Sequence, residues 1–278
     1  MMLFLDPSQK LAYGRKITPQ TMTEEKEICL IGDSVLDNFY WLADPSKDLR
    51  AVLSSKGYKT RNYAVDEAQL RDLSDGQVPA EPYVKSRQYP YSTAEDGKVH
   101  PLRKIAKYPG STVVMSVVGN DLRVAMPKII FGPSYFVDSV LTAKYRKEYE
   151  HVVGKIIKHH KLILIMPYMP YTGSGIYVML SPLADLIYDR IREFIYSVGQ
   201  KYGLPVIDLS RTFDRGNRSH YGSTEIEPSN LTCEVIADGI DLIVKSGHKV
   251  GPWYQKNCVG KWKNRKFEEK QERSTPSK

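Results

Sequence analysis

Five short apolar runs, each bounded by turn residues and separated by segments of helical period, constrain what this chain can fold into. They occupy residues 28–31, 59–65, 112–118, 162–166 and 205–209. Runs of this length, rich in β-branched residues and without strict alternation, suit strands buried on both faces. Residues 135–160 repeat Val137, Val140, Leu141, Tyr145, Tyr149, Val152, Val153 and Ile156 at helical spacing. Residues 180–203 do the same with Leu183, Leu186, Ile187, Ile191, Phe194 and Ile195, and stop at Gly203. A last helix is expected from Asn230 to about Lys245. Strand and helix patterns that alternate in this way predict an α/β fold: a central parallel sheet of about five strands covered by helices on both faces.

The length of 278 residues allows one large core. We expect an N-terminal extension over 1–24, an α/β domain over 25–250 and a basic, poorly ordered tail over 251–278. Residues 77–110 are rich in Pro and Tyr and too long for an ordinary connection, so they read as an insertion or flap near the site. The net charge of +8 is uneven, because the tail holds eight Lys/Arg against three Glu. The body is therefore only about +3, which does not suggest a nucleic-acid binder. In the tail, Trp253, Trp262 and Phe267 are interleaved with Lys256, Lys261, Lys263, Arg265 and Lys266. That mixture fits either weak contact with anionic surfaces or a solvated tail. Three scattered cysteines, Cys29, Cys233 and Cys258, show neither disulfide nor zinc spacing and fit a reducing compartment. The apolar start, residues 1–5, is too short for a signal-peptide core, and no run approaches the roughly 18–20 apolar residues of a membrane span. The expectation is a cytoplasmic protein.

Three blocks carry chemistry. Gly32-Asp33-Ser34 follows the first apolar run directly. A strand that breaks at glycine puts the next hydroxyl at the carboxyl end of the sheet, where open α/β folds bind their ligands. Val117-Val118-Gly119-Asn120-Asp121 ends the third run, and the Asn120 side chain offers an N–H to a developing oxyanion. The third block is Ile226-Glu227-Pro228-Ser229-Asn230, with Ser229 suited to cap the last helix. Each block also has a structural reading. Ser34 could cap a helix, Gly119-Asn120 is ordinary turn chemistry, and Asp33 and Asp37 suit the first turn of a helix.

In these blocks, in order over about residues 27–245, the chain resembles the SGNH/GDSL hydrolases. Gly32-Asp33-Ser34-Val35-Leu36-Asp37-Asn38 matches the first block of that family and Gly119-Asn120-Asp121 the third. The resemblance implies a flavodoxin-like three-layer α/β/α sandwich. It further implies hydrolysis of carboxylic esters, by an esterase, lipase or acetylhydrolase, through a Ser34 nucleophile supported by Asp33 and Gly119. The substrate would be a small-molecule or lipid ester, with no metal and no organic cofactor.

Two departures stand out. Glu67 falls where the family has a glycine whose backbone N–H joins those of Ser34 and Asn120 in the oxyanion hole. Thr224 and Glu227 fall at the positions of the family's catalytic Asp and His. Glu227 can accept the serine proton if burial raises its pKa, although it lacks the second ring nitrogen through which a histidine is oriented. His220, six residues after Asp214, is a second candidate base, and equally an ordinary loop histidine. If neither serves, the chain is an SGNH-like binding protein without turnover.

Overall fold

A computed structural model describes residues 26–79, 98–124, 135–173 and 176–254. The apolar runs form one sheet of six parallel strands: β1 (Glu27–Gly32), β2 (Lys59–Asn62), β5 (Thr112–Ser116), β6 (Lys161–Met166), β7 (Pro205–Asp208) and β8 (Gly251–Trp253). Their order across the sheet is β2-β1-β5-β6-β7-β8. Between β2 and β5, Val78–Pro79 (β3) and Lys98–Val99 (β4) make a separate antiparallel pair.

Because side chains alternate along a strand, each central strand feeds two cores. Cys29, Ile31, Val113, Met115, Leu162 and Leu164 point to one face. They meet α2 (Leu70–Asp75), α4 (Tyr135–Ile156) and α5 (Ile176–Tyr202) through Leu73, Tyr149, Val153 and Ile187. Ile28, Leu30, Val114, Ile163 and Ile207 point to the other face. There they meet α1 (Leu49–Ser55) and α6 (Asn230–Lys245) through Leu49, Leu53, Ile236 and Ile240. The result is the expected α/β/α sandwich, with helices on both faces of a parallel sheet.

The sheet has six strands rather than five. The sixth, β8, arises from residues assigned above to the tail, and Trp253 is buried in the core beside Ile207 and Ile240. A three-residue strand containing Pro252 carries little strand signal. At a sheet edge the missing N–H of a proline costs no ladder bond. The chain after Tyr254 and residues 1–25 lie outside the described residues, as do 80–97 of the expected flap. The base of that flap is anchored: Val78 and Val99 pair, and both join the core with Ile105 of α3 (Pro101–Ile105).

Strand order creates a topological switch point. From β1 the chain moves outward to β2 and then crosses back to β5, so the order reverses at β1. Open α/β sheets bind ligands at such a switch point, outside the carboxyl ends of the strands. The ends of β1 and β5 are in register there, Gly32 beside Ser116. Gly32 has φ +125°, and a Cβ on it would lie 1.6 Å from the Ser116 carbonyl oxygen. Gly32→Ala is therefore expected to force β1 and β5 apart and lower stability by about 3 kcal/mol or more. Urea unfolding followed by circular dichroism measures this.

Candidate active site

The loop after β1 is built by Asp33. Its backbone N–H donates to the Ser116 carbonyl (2.9 Å), and its carbonyl accepts from the N–H groups of Leu36 (3.0 Å) and Asp37 (3.1 Å). Its carboxylate Oδ1 accepts from the Val35 N–H (3.2 Å) and the Ser116 hydroxyl (2.9 Å). Ser34 is thereby held in a tight turn with 6% of its surface exposed. The helix-cap reading of Ser34 fails, because α1 does not begin until Leu49 and Asp48 caps it (Ala51 N–H to Oδ1, 2.7 Å). Asp33 and Asp37 likewise start no helix. Among the described residues, no acceptor takes the Ser34 N–H. Burial pushes the Asp33 carboxyl up to about 7, against the Ser116 and Val35 hydrogen bonds that favour its charged form.

Across the crevice, Val118 has φ +99° and is buried. For a β-branched residue this is strain of roughly 1–3 kcal/mol, of a kind that gathers at functional sites. A helical turn begins directly after it, at Gly119. A Cβ on Gly119 would rest in ordinary contact with Asp33 Oδ2, 3.5 Å away, so this glycine is close to the Asp33 carboxylate without being sterically required. The Asn120 amide donates one N–H to the Ala68 carbonyl (3.2 Å) and has a second to offer.

Glu67 has φ +64°, the left-handed backbone that a glycine would adopt most readily. Its N–H does not stand free as the family pattern leads one to expect. It donates to Asp66 Oδ1 at 2.8 Å. Its side chain turns instead to Arg123, with Nη2 2.8 Å from Oε1.

Glu227 is carried by a loop tied down on several sides. The Thr224 hydroxyl, at the family's Asp position, accepts from the backbone N–H groups of Ile226 and Glu227, both at 3.2 Å. The Gly222 N–H donates to the Glu227 carbonyl (2.8 Å), Tyr171 N–H to Glu225 (2.8 Å), and the Tyr168 hydroxyl to Ile226. Ser229 caps α6 as expected, accepting from the Thr232 N–H. The Glu227 side chain is only 8% exposed, and its Oε2 is buried without a hydrogen-bond partner. Burial first, then the charge of Asp66, pushes the carboxyl up to about 7. The Glu227 N–H, the charge of Arg123 and the nearby Ser34 hydroxyl pull the other way, which puts the Glu227 carboxyl and Ser34 close together in this crevice.

His220 is held elsewhere. Its Nδ1 accepts from the Asp214 N–H (2.8 Å) and its Nε2 faces Asn217 Nδ2 (3.2 Å). Asp214 meets the ring through its backbone, while its carboxylate binds the Gly216 N–H (2.9 Å). Burial lowers the pKa of His220. The ring pins its own loop, and no described contact brings it to Ser34.

Sequence reasoning missed Asp66 and did not foresee the burial of Asp37 and Asp121. Asp66 is buried, accepts from Glu67, and donates its N–H to Asp37 Oδ2 (3.1 Å). Asp37 has a second oxygen that is buried and unpartnered, and burial raises it to about 8. Asp121 accepts from the Leu70 N–H at the start of α2 (2.9 Å), and burial raises it to about 6. The only signal for Asp66 was its place beside Glu67. Among the described residues, no group of three or more His, Cys, Asp or Glu is arranged to hold a metal ion. None of the described helices is long and apolar enough to cross a membrane.

No family model matches the chain, and no curated protein matches it in sequence. Solved structures do match in fold. A lipase, Lip_vut3, from a goat rumen metagenome is 13% identical over 81% of this chain and 98% of its own, with a TM-score of 0.53. An acetyl xylan esterase, AlAXEase, is 16% identical over 78% of this chain and 99% of its own (TM-score 0.49). A G-D-S-L family lipolytic protein from Veillonella parvula is 12% identical over 79% and 99% (TM-score 0.49). The chain shares the fold of the goat rumen lipase, the α/β/α sandwich that its first and third blocks implied.

The raised carboxyls fix the sign of a pH effect. A carboxyl whose folded pKa exceeds its unfolded value near 4 favours the folded state below that value, and its contribution is lost as pH rises through the folded pKa. For Asp33, Glu227 and Asp37 the loss runs from about pH 4 to about pH 8. Asp37→Asn keeps an acceptor for the Asp66 N–H and removes the titration. It is expected to stabilise the protein by about 1–3 kcal/mol at pH 9 and by much less at pH 5. Denaturant unfolding at the two pH values checks this.

Proposed function

We propose that the protein is a serine ester hydrolase that acts on carboxylic esters through a Ser34 acyl-enzyme, with Glu227 as its proton acceptor. One observation carries the reading: at the switch point beyond the end of β1, the Ser34 hydroxyl lies close to the buried Glu227 carboxyl, whose loop is pinned by Thr224 and Tyr168 and whose pKa burial raises to about 7. A general base works best with a pKa near the operating pH, which an ordinary exposed glutamate does not have. In the proposed cycle Ser34 Oγ attacks the ester carbonyl and its proton passes to Glu227. The Ser34 N–H and the second Asn120 N–H stabilise the oxyanion. Glu227 then returns the proton to the departing alkoxide; in the second half it takes one from the attacking water and passes it to Ser34 Oγ as the acid is released. Asp33 and Gly119 support the nucleophile turn, and the substrate is a small-molecule or lipid ester.

A second reading, an SGNH-like binding protein without turnover, is favoured by one observation: the Glu67 N–H is already engaged with Asp66. Reaction with a fluorophosphonate probe separates the two. Wild type is expected to be labelled and Ser34→Ala not, and a wild type that stays unlabelled from pH 6 to 9 would rule out the activated serine.

Among active variants, Glu227→Gln is expected to lose roughly 10²–10⁴ in kcat, and Asn120→Ala roughly 10²–10³. In wild type, kcat/KM for p-nitrophenyl butyrate should rise as pH passes through about 7, because Glu227 must be ionised to accept the proton. His220→Ala should retain that pH profile.

A further inference from the structure

The Glu67–Arg123 pair has no part in the chemistry proposed above, yet it sits against the same groups. Asn120 and Arg123 are one turn apart on the helical segment that starts at Gly119, so they share a face. They grip two consecutive residues of the facing loop: Asn120 donates to the Ala68 carbonyl, and Arg123 donates to the Glu67 carboxylate. The guanidinium is also close enough to Glu227 to favour its ionised form. Both side chains of the pair are about half exposed, Arg123 at 51% and Glu67 at 47%. Beside them Val124 leaves a large apolar side chain in solvent. An ion pair this open is worth little, and either partner is readily exchanged for another of the same sign.

The asymmetry lies in what surrounds the crevice. Asp33, Asp37, Asp66, Asp121 and Glu227 are all buried there, whereas Arg123 reaches the rim with a planar donor fork suited to a carboxylate or phosphate. Glu67 then acts as a resident stand-in for the anion. It holds the Arg123 guanidinium at 2.8 Å, in a pair open to solvent.

We propose that Arg123, held in place by Glu67, is a specificity-determining residue that selects esters carrying an anionic group, a carboxylate or a phosphate, on the acyl part of the substrate where it projects from the crevice. This rests on the ester-hydrolase reading of Ser34. The experiment compares kcat/KM for p-nitrophenyl hemisuccinate with that for p-nitrophenyl butyrate, which have acyl chains of equal length. Wild type should favour the hemisuccinate, and Arg123→Gln should lower the ratio by about tenfold or more, the loss expected for a charge-assisted pair. Glu67→Gln should raise the ratio, because it frees the guanidinium. Removing Arg123 also raises the pKa of Glu227, which slows both esters alike, so the ratio isolates recognition. A ratio unchanged in Arg123→Gln, or a wild type that favours butyrate, overturns the proposal.

Should neither ester turn over, the hydrolase reading fails separately. Calorimetric binding of monomethyl succinate and of inorganic phosphate to the wild type then decides the matter. Binding of either anion that is weakened in Arg123→Gln supports anion recognition and tells the two chemistries apart. No binding to the wild type, or equal binding to both proteins, ends it.

Discussion

The site depends on the approach of two backbones at the ends of β1 and β5. Gly32 passes so near the Ser116 carbonyl that no side chain fits, and the Asp33 N–H caps that same carbonyl. The contact fixes the turn that presents Ser34. Because the two strands end in register, it also brings the Gly119-Asn120 helical turn alongside. Asp33 closes the arrangement by bonding Ser116 through its side chain. The Ser34 turn and the Gly119-Asn120 side of the crevice are therefore one unit, held by a single strand-to-strand contact.

Around that unit the protein gathers carboxyls in place of an imidazole. Burying a carboxylate without full hydrogen bonding is expensive, and the group responds by holding its proton to higher pH. Glu227 and Asp37 each keep one buried oxygen without a partner, and Asp66 lies within electrostatic reach of both. Desolvation thus gives Glu227 a pKa near 7, which a histidine has by its nature. Orientation comes from a different source as well. Thr224, Tyr168 and Tyr171 hold the backbone of the Glu227 loop, where an aspartate would hold a ring nitrogen.

Much of this was legible in the sequence, and the reasons are local. The central strands are continuous apolar runs because both of their faces are covered, and α6 begins at Asn230 because Ser229 caps it. Positions for Ser34 and Asn120 at strand ends follow from glycines that stop those runs. The edge strand β8 was not legible, since three residues with a proline have no period to detect. Nor could the partners of Glu67 be foreseen. Its left-handed backbone is local, but the bonds to Asp66 and Arg123 depend on two loops meeting.

By itself the sequence determined the class of fold, the order of the strands along the chain, and the place of Ser34 at the carboxyl end of a strand. All of these are set by residue spacing over short stretches. Tertiary structure alone decided which group faces Ser34. Glu227 arrives from a loop nearly two hundred residues away, while His220, equally plausible as a base on chemistry alone, is turned into its own loop by Asp214 and Asn217. Tertiary structure also decided how tightly Glu227 holds its proton. The pKa of a carboxyl is a property of what covers it, and that cover is assembled only when distant segments pack together.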